Sequence, residues 1–201
     1  MLPLETLVAL AAFAFVSSVT PGPNNLMLMT SGTNFGFLRT VPHMLGVSLG
    51  FSLMLLLVGL GLGAIFTAVP GAMTVLKVAS VVYLLYLAWR IARAQPPGIE
   101  AVDGDARPFG FLQAAAFQWV NPKGWTMALT AVAVYVPEGH RLAGAAVVAL
   151  VCLTVNIPSV IIWTAMGVQL RRLMHRPRAY RAFNVAAALL LVVSLYPVLT
   201  L

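Results

Sequence analysis

Two short runs of polar and helix-breaking residues hold the densest potential chemistry in this chain of 201 residues: Thr20-Pro21-Gly22-Pro23-Asn24-Asn25 and Asn121-Pro122-Lys123-Gly124. Each sets a capping residue before a proline. Thr20 reads as an N-cap with Pro21 at the first helical position, and Asn121 and Pro122 repeat the pattern. A helix that starts there leaves its first N–H groups unpaired, at Gly22, Asn24 and Asn25 in one run and at Lys123 and Gly124 in the other. Such groups carry the positive end of the helix dipole and bind a carboxylate without any basic side chain. Asn24 and Asn25 add amide donors and acceptors, and Lys123 adds an amine. Gln118 and Trp119 immediately precede the second run; Gln118 would line the same cavity, whereas Trp119 reads as packing.

The elements that position these residues follow from composition. The chain is 61% apolar and 8% charged, against about 45–50% and about 25% in soluble domains. It therefore reads as an integral membrane protein. At roughly 20 residues per spanning helix it has room for about six spans. Charges and turn residues delimit them: Glu5 to Arg39, about 41–69, about 72–89, Arg107 to Glu138, about 142–170 and about 182–201. Segments one and four cover 34 and 31 positions, too long for one straight crossing. Their midpoints, 22 and 122.5, fall on the two breaks, and Pro21 and Pro122 stand 101 positions apart. Each must tilt, kink or unwind at its centre. A lone proline would suit a simple kink; two prolines, a glycine and two asparagines together are too costly for a bend.

The expected fold is an all-α membrane protein in which 1–201 form one transmembrane domain. Six helices make two inverted three-helix repeats, about 1–93 and 107–201, joined by a linker at about 94–106. Helices one and four are broken near the midplane, an arrangement that builds transport sites. Lysines and arginines number nine in the loops after segments one, three and five and two on the opposite side. That bias puts both termini outside the cytoplasm. The Arg171–Arg181 stretch reads as a topology anchor that also suits anionic lipid. The N-terminus has no basic run, so a cleaved signal peptide is not expected.

Other signals are weaker. Lys123 lies mid-segment, where a charge costs roughly 2.5–3.5 kcal/mol on insertion scales, so it needs a partner or an aqueous cavity. Asn156-Ile157-Pro158 is either a third break, with Asn156 in the site, or a packing kink. Gly46 to Gly50 and Gly32 to Gly36 have the spacing of close helix contacts. His43, His140 and His175 read as interfacial or loop residues. No metal-ligand spacing, P-loop or nucleophile-and-base constellation is present, so no catalytic residue, metal or cofactor is expected. Cys152 is the only cysteine, which excludes a dithiol carrier.

These residues resemble the LysE/RhtB (lysine exporter/resistance to homoserine-threonine) family of bacterial amino-acid exporters. Thr20-Pro21-Gly22-Pro23-Asn24 is similar to that family's first-helix motif, Gly46 to Gly50 to its second helix, and Asn121-Pro122-Lys123 to its fourth. The resemblance covers essentially the whole chain. It implies export of amino acids or their derivatives across the inner (plasma) membrane, driven by proton antiport. One departure is Phe51, where many relatives carry a polar or acidic residue. No Asp or Glu lies deep in any segment, so neutral amino acids fit better than cationic ones. A channel-like or ion-exporting protein is the alternative. Expected partners are a small-molecule substrate and membrane lipid, with a homodimer allowed and nucleic acid excluded.

Overall fold

The computed structural model describes residues 2–94, 107–174 and 176–196. Most of the expected 94–106 linker, together with Glu100, Asp103, Asp105 and His175, lies outside the described residues. Among those described, the regular structure is helical. The first half contains α1 (Leu4–Val19), α2 (Pro23–Phe35), α3 (Phe37–Gly59), the one-turn α4 (Ile65–Ala68) and α5 (Ala72–Ala92). The second contains α6 (Phe111–Phe117), α7 (Pro122–Tyr135), α8 (Arg141–Leu173) and α9 (Pro177–Val193). A 3-10 turn over Gln118–Val120 continues α6 up to Asn121.

Among the described residues α3, α5 and α8 are long and apolar enough to cross a membrane. The pair α1 and α2, bent by 53° at Thr20 to Gly22, makes a fourth crossing if counted as one span. The first break is thus present where the proline run puts it. The second falls at Asn121, whose extended backbone (φ −89°, ψ 106°) separates the 3-10 turn from α7.

α8 is central and packs against α1, α2 and α3. Two further pairings flank it, α3 against α6 and α5 against α9. The reason for this arrangement is most visible in α2. Its sequence, Pro-Asn-Asn-Leu-Met-Leu-Met-Thr-Ser-Gly-Thr-Asn-Phe, is too polar to face lipid, and every residue from Asn25 to Thr33 is buried. The hydroxyls are satisfied locally or across the seam. Thr30 donates to the Met27 carbonyl (3.0 Å), Thr33 donates to the carbonyls of Met29 and Gly167 (both 2.9 Å), and Ser31 pairs with Thr40 (3.0 Å).

Glycines let the backbones approach. A Cβ on Gly32 would sit 2.3 Å from the Thr164 carbonyl oxygen, and one on Gly167 would sit 2.0 Å from that of Met29. The same holds between α3 and α6, where a Cβ on Gly46 would meet the Phe111 carbonyl oxygen at 2.3 Å. The glycine spacing in segment two therefore marks close packing, as it implied. Gly36 has a different job. It alone separates α2 from α3, at φ +83°, a conformation that disfavours any Cβ.

Several expectations are corrected. α8 runs unbroken through Pro158 from Arg141 to Leu173, so no third break exists there. The loop expected at Arg171–Arg181 is largely helical: Arg171 and Arg172 end α8, while Arg178 and Arg181 belong to α9. His43 is not an interfacial surface residue. It is 2% exposed, stacked on Phe109 with ring centroids 5.4 Å apart. Phe109, in the segment leading into α6, covers α3 at that turn.

Candidate functional site

The first break assembles itself by satisfying the free carbonyls at the end of α1. Thr20 closes the helix with its N–H on the Val16 carbonyl (3.2 Å) and its hydroxyl on that of Ser17 (3.0 Å). The Asn25 side-chain amide donates back to the carbonyls of Ser18 (2.7 Å) and Thr20 (2.9 Å), and Ser159 of α8 donates to Ser18 as well (2.8 Å). These are the last carbonyls that a helix leaves unpaired. Asn25 is therefore a structural clamp on the broken span, and both amide hydrogens are committed to it.

This geometry corrects the expected cap. Thr20 ends α1 rather than capping the next helix, Gly22 is the N-cap, and Pro23 rather than Pro21 is the first residue of α2. The reason is carbonyl satisfaction: Thr20 and its hydroxyl complete the preceding helix, and the extended backbone of Gly22 (φ −170°, ψ 176°) then turns the chain. At the second break Asn121 does occupy the N-cap position with Pro122 first, but its side chain makes no capping bond. Asn121 Oδ1 is buried and has no hydrogen-bond partner. The first helical bonds are Leu26 N–H to Gly22 and Trp125 N–H to Asn121. The N–H groups of Asn24 and Asn25, and those of Lys123 and Gly124, are the helix-start donors ahead of them.

The two breaks are tied to each other. Asn24 and Gln118 exchange amide hydrogen bonds, Nδ2 to Oε1 at 2.9 Å and Nε2 to Oδ1 at 3.2 Å. Gln118 is fully buried and also donates to the Ala114 carbonyl (2.9 Å). Lys123 reaches the other way, its Nζ donating to the Thr20 carbonyl (2.8 Å) and hydroxyl (2.9 Å). Gly22 makes room for it, since a Cβ there would lie 2.8 Å from Lys123 Cδ. Lys123 has thus found the partner its mid-segment position demands, at the negative end of the α1 dipole.

Between the breaks is a pocket of about 390 Å³, its open mouth included. It is lined by Ser17, Ser18, Gly22, Pro23, Asn24 and Asn25 on one side, by Asn121, Lys123, Gly124 and Met127 on the other, and by Val47, Phe51 and Asn156. Eight of the residues singled out from sequence therefore meet in one cavity. Thr20, Pro21, Gln118 and Pro122 do not line it; Gln118 stands behind Asn24, and Thr20 holds Lys123. Trp119 packs edge-on against Trp125 and accepts its indole N–H at 2.9 Å.

Asn156 joins three helices. Its Oδ1 accepts from Ser48 of α3 (2.9 Å), and its Nδ2 donates to the Ser18 hydroxyl of α1 (3.4 Å). Sequence reasoning missed Ser17, Ser18, Ser48, Val47, Phe51 and Met127. The serines had a signal, being hydroxyls in otherwise apolar runs beside a break or a glycine contact. Val47 and Met127 had none, since they look like any lipid-facing or core residue, and Phe51 stood out only as a departure from the family's pattern.

The lining contains no acidic side chain. Its donors are helix-start N–H groups and the Lys123 amine, its acceptors are amides, hydroxyls and the end of α1, and Val47, Phe51 and Met127 form an apolar wall. Such a pocket can hold a small molecule with a carboxylate and a neutral side chain.

The family model described as LysE type translocator matches residues 15–198. The chain is 32% identical over 184 residues to the cysteine/O-acetylserine efflux protein of Escherichia coli (strain K12), covering 90% of each chain. The protein of that name from Shigella sonnei (strain Ss046) matches with the same identity and coverage. No solved structure matches the chain. A family match over nearly the whole length, with 32% identity to such relatives over 90% of each chain, establishes that this chain belongs to the LysE family of translocators, a family of multi-pass membrane exporters.

Proposed function

We propose that the protein exports neutral amino acids, or small metabolites related to them, from the cytoplasm across the inner membrane. The observation that carries this reading is the convergence of two half-helix N-termini and one amine on a pocket whose lining has no acidic side chain. A substrate carboxylate has donors there. A cationic side chain has no counter-charge, and burying one unpaired is costly. The name of the Escherichia coli relative, an efflux protein for cysteine and O-acetylserine, supports a small neutral substrate.

In this reading the backbone N–H groups of Asn24 and Asn25 hold the carboxylate from one side and those of Lys123 and Gly124 from the other. Asn121 and Asn156 supply further polar contacts, and Val47, Phe51 and Met127 face the side chain. Six spans form two inverted halves, with α1 and α2 counted as one span and α6 and α7 as another. The pairing of α3 with α6 and of α8 with α1 supports that symmetry, because the same contact recurs between corresponding elements. Rocking of the halves about the pocket gives alternating access. Both termini lie outside the cytoplasm, on the positive-inside bias. Proton antiport supplies the energy.

The test is efflux of O-acetyl-L-serine, L-leucine and L-lysine from loaded proteoliposomes. The two neutral compounds are expected to leave faster than from empty-lipid controls, lysine is not, and an uncoupler abolishes uphill movement. Asn24→Ala and Lys123→Ala combined should stop transport. Unchanged efflux in that double variant dismisses the site, and a preference for lysine dismisses the substrate class.

A further inference from the structure

Beside the pocket, behind Gly22 and Lys123 of its wall, is a second pole that the carboxylate leaves unused. α1 ends against it, and the last carbonyls of a helix carry its negative partial charge. That end already holds an amine: Lys123 Nζ sits 2.8 Å from the Thr20 carbonyl oxygen and 2.9 Å from its hydroxyl. Two acceptors from one residue converge on one nitrogen, and Gly22 keeps the approach open, since a Cβ there would lie 3.2 Å from Nζ itself. The neighbouring carbonyl of Ser18 is taken by Asn25 and Ser159, and Asn25 also donates to the Thr20 carbonyl at 2.9 Å, so Lys123 holds that oxygen's second acceptor site. Lys123 is therefore the exchangeable occupant, on a flexible side chain, while the other donors are built into the break.

We propose that Thr20, through its carbonyl and hydroxyl, is the receptor for the substrate's α-ammonium group, and that Lys123 fills this position when no substrate is bound. The inference rests on the amino-acid reading of the pocket. It adds which residue reads the amino group and assigns Lys123 a competing role. An α-amino acid carries its two charges on one carbon. The pocket offers the matching pair of poles, the start of α2 and α7 for the carboxylate and the end of α1 for the ammonium. Entry of substrate displaces the lysine amine from Thr20, and the carboxylate is held by the N–H groups at the starts of α2 and α7. The exchange also unties α7 from α1, so that only a molecule carrying both groups releases that link between the two broken spans. A carboxylic acid without an amine leaves Lys123 where it is.

The experiment compares two isomers, O-acetyl-L-serine and N-acetyl-L-serine, of which only the first bears an ammonium. Their binding to the purified full-length protein in lipid nanodiscs is measured by calorimetry, and the readout is the ratio of the two Kd values. Losing the amine's pull on a carboxylate affects both isomers alike and cancels in that ratio. A site free for a tenth of the time binds about tenfold more weakly than its intrinsic affinity, so Lys123→Gln should raise the ammonium preference several-fold, up to about that amount. Lys123→Arg should retain the low ratio, and Thr20→Val, which removes one acceptor and leaves Lys123 intact, should lower it. A ratio unchanged in both Lys123→Gln and Thr20→Val overturns the inference while leaving the amino-acid reading in place. Failure of the wild-type protein to bind either isomer, or any amino acid in a panel of neutral ones, overturns that reading and the inference with it.

Discussion

Asn24 and Lys123 stand at the same position of two different helices: each directly follows the proline that starts its half-helix, and each crosses to the opposite break. Asn24 meets Gln118 in the 3-10 turn that precedes Asn121, and Lys123 meets Thr20 at the end of α1. The matching prolines are therefore Pro23 and Pro122. The register suggested by Pro21 is off by two residues, because Thr20 to Gly22 is consumed in closing α1 and turning the chain. The two ties differ in chemistry. One is a reciprocal pair of neutral amides, the other an amine on a carbonyl and a hydroxyl, which makes the second the easier to exchange with a charged ligand.

The amide pair predicts a coupling between distant positions. Asn24→Ala leaves Gln118 Oε1 buried without its donor, which costs about 1–3 kcal/mol. Gln118→Leu in the same chain removes the orphan and should recover part of that loss. A double-mutant cycle on thermal unfolding in detergent measures it, and additive effects would mean that the pair contributes nothing.

Glycine seams predict a graded steric series. Gly167→Ala pushes a methyl group onto the Met29 backbone at 2.0 Å, and Gly32→Ala does the same to Thr164 at 2.3 Å. Both should cost about 1–3 kcal/mol or more, as overpacking does. Gly139→Ala meets nothing within 4 Å and has an ordinary φ, so its Tm should stay within the small change of a surface substitution, about 0.5 kcal/mol. Equal Tm values for all three would refute the close packing of α2 on α8.

Topology is open to chemical labelling. The proposed orientation, with both termini outside the cytoplasm, predicts that Gly139 between α7 and α8 faces the exterior and that Arg93 at the end of α5 faces the cytoplasm. A membrane-impermeant maleimide applied to intact cells should label Gly139→Cys and spare Arg93→Cys until the cells are opened. The native Cys152 is buried and gives little background. The reverse pattern would invert the protein in the membrane and turn the proposed exporter the other way round.

The apolar wall predicts separable effects on function and stability. Met127 lines the pocket and is only partly buried, so Met127→Phe fills space rather than crowding the core. Efflux of a neutral amino acid should fall at least tenfold while Tm changes by no more than about a degree or two, the shift expected for a change of a few tenths of a kcal/mol. Retained efflux with a large loss of Tm would show that Met127 is a packing residue.

Much of this was legible without coordinates because breaking a helix inside a bilayer is expensive. Two prolines beside a glycine and two asparagines can persist at that depth only where protein or a polar cavity surrounds them, so the location of the pocket followed from residue type and spacing. The polarity of Asn24, Asn25, Asn121 and Asn156 marked them for the same reason. The lack of acidic residues within the spans likewise underlies the proposal of a neutral substrate, which the efflux assay tests.

What composition and spacing left undetermined was who pairs with whom. Asn25 and Asn24 are neighbours of one chemical type, yet one clamps the carbonyls of α1 and the other faces Gln118, 94 residues away. Pro158 carries the same local signal as the two breaks, but α8 runs through it, whereas Thr20 and Asn121 end their helices. His43 resembles an interfacial residue until Phe109, just ahead of α6, is laid over it. Local propensity states what a residue costs in a given conformation. Only the packed neighbours decide whether that cost is met, because the donors that satisfy a broken helix, Lys123 for Thr20 and Ser159 for Ser18, come from parts of the chain more than a hundred residues distant.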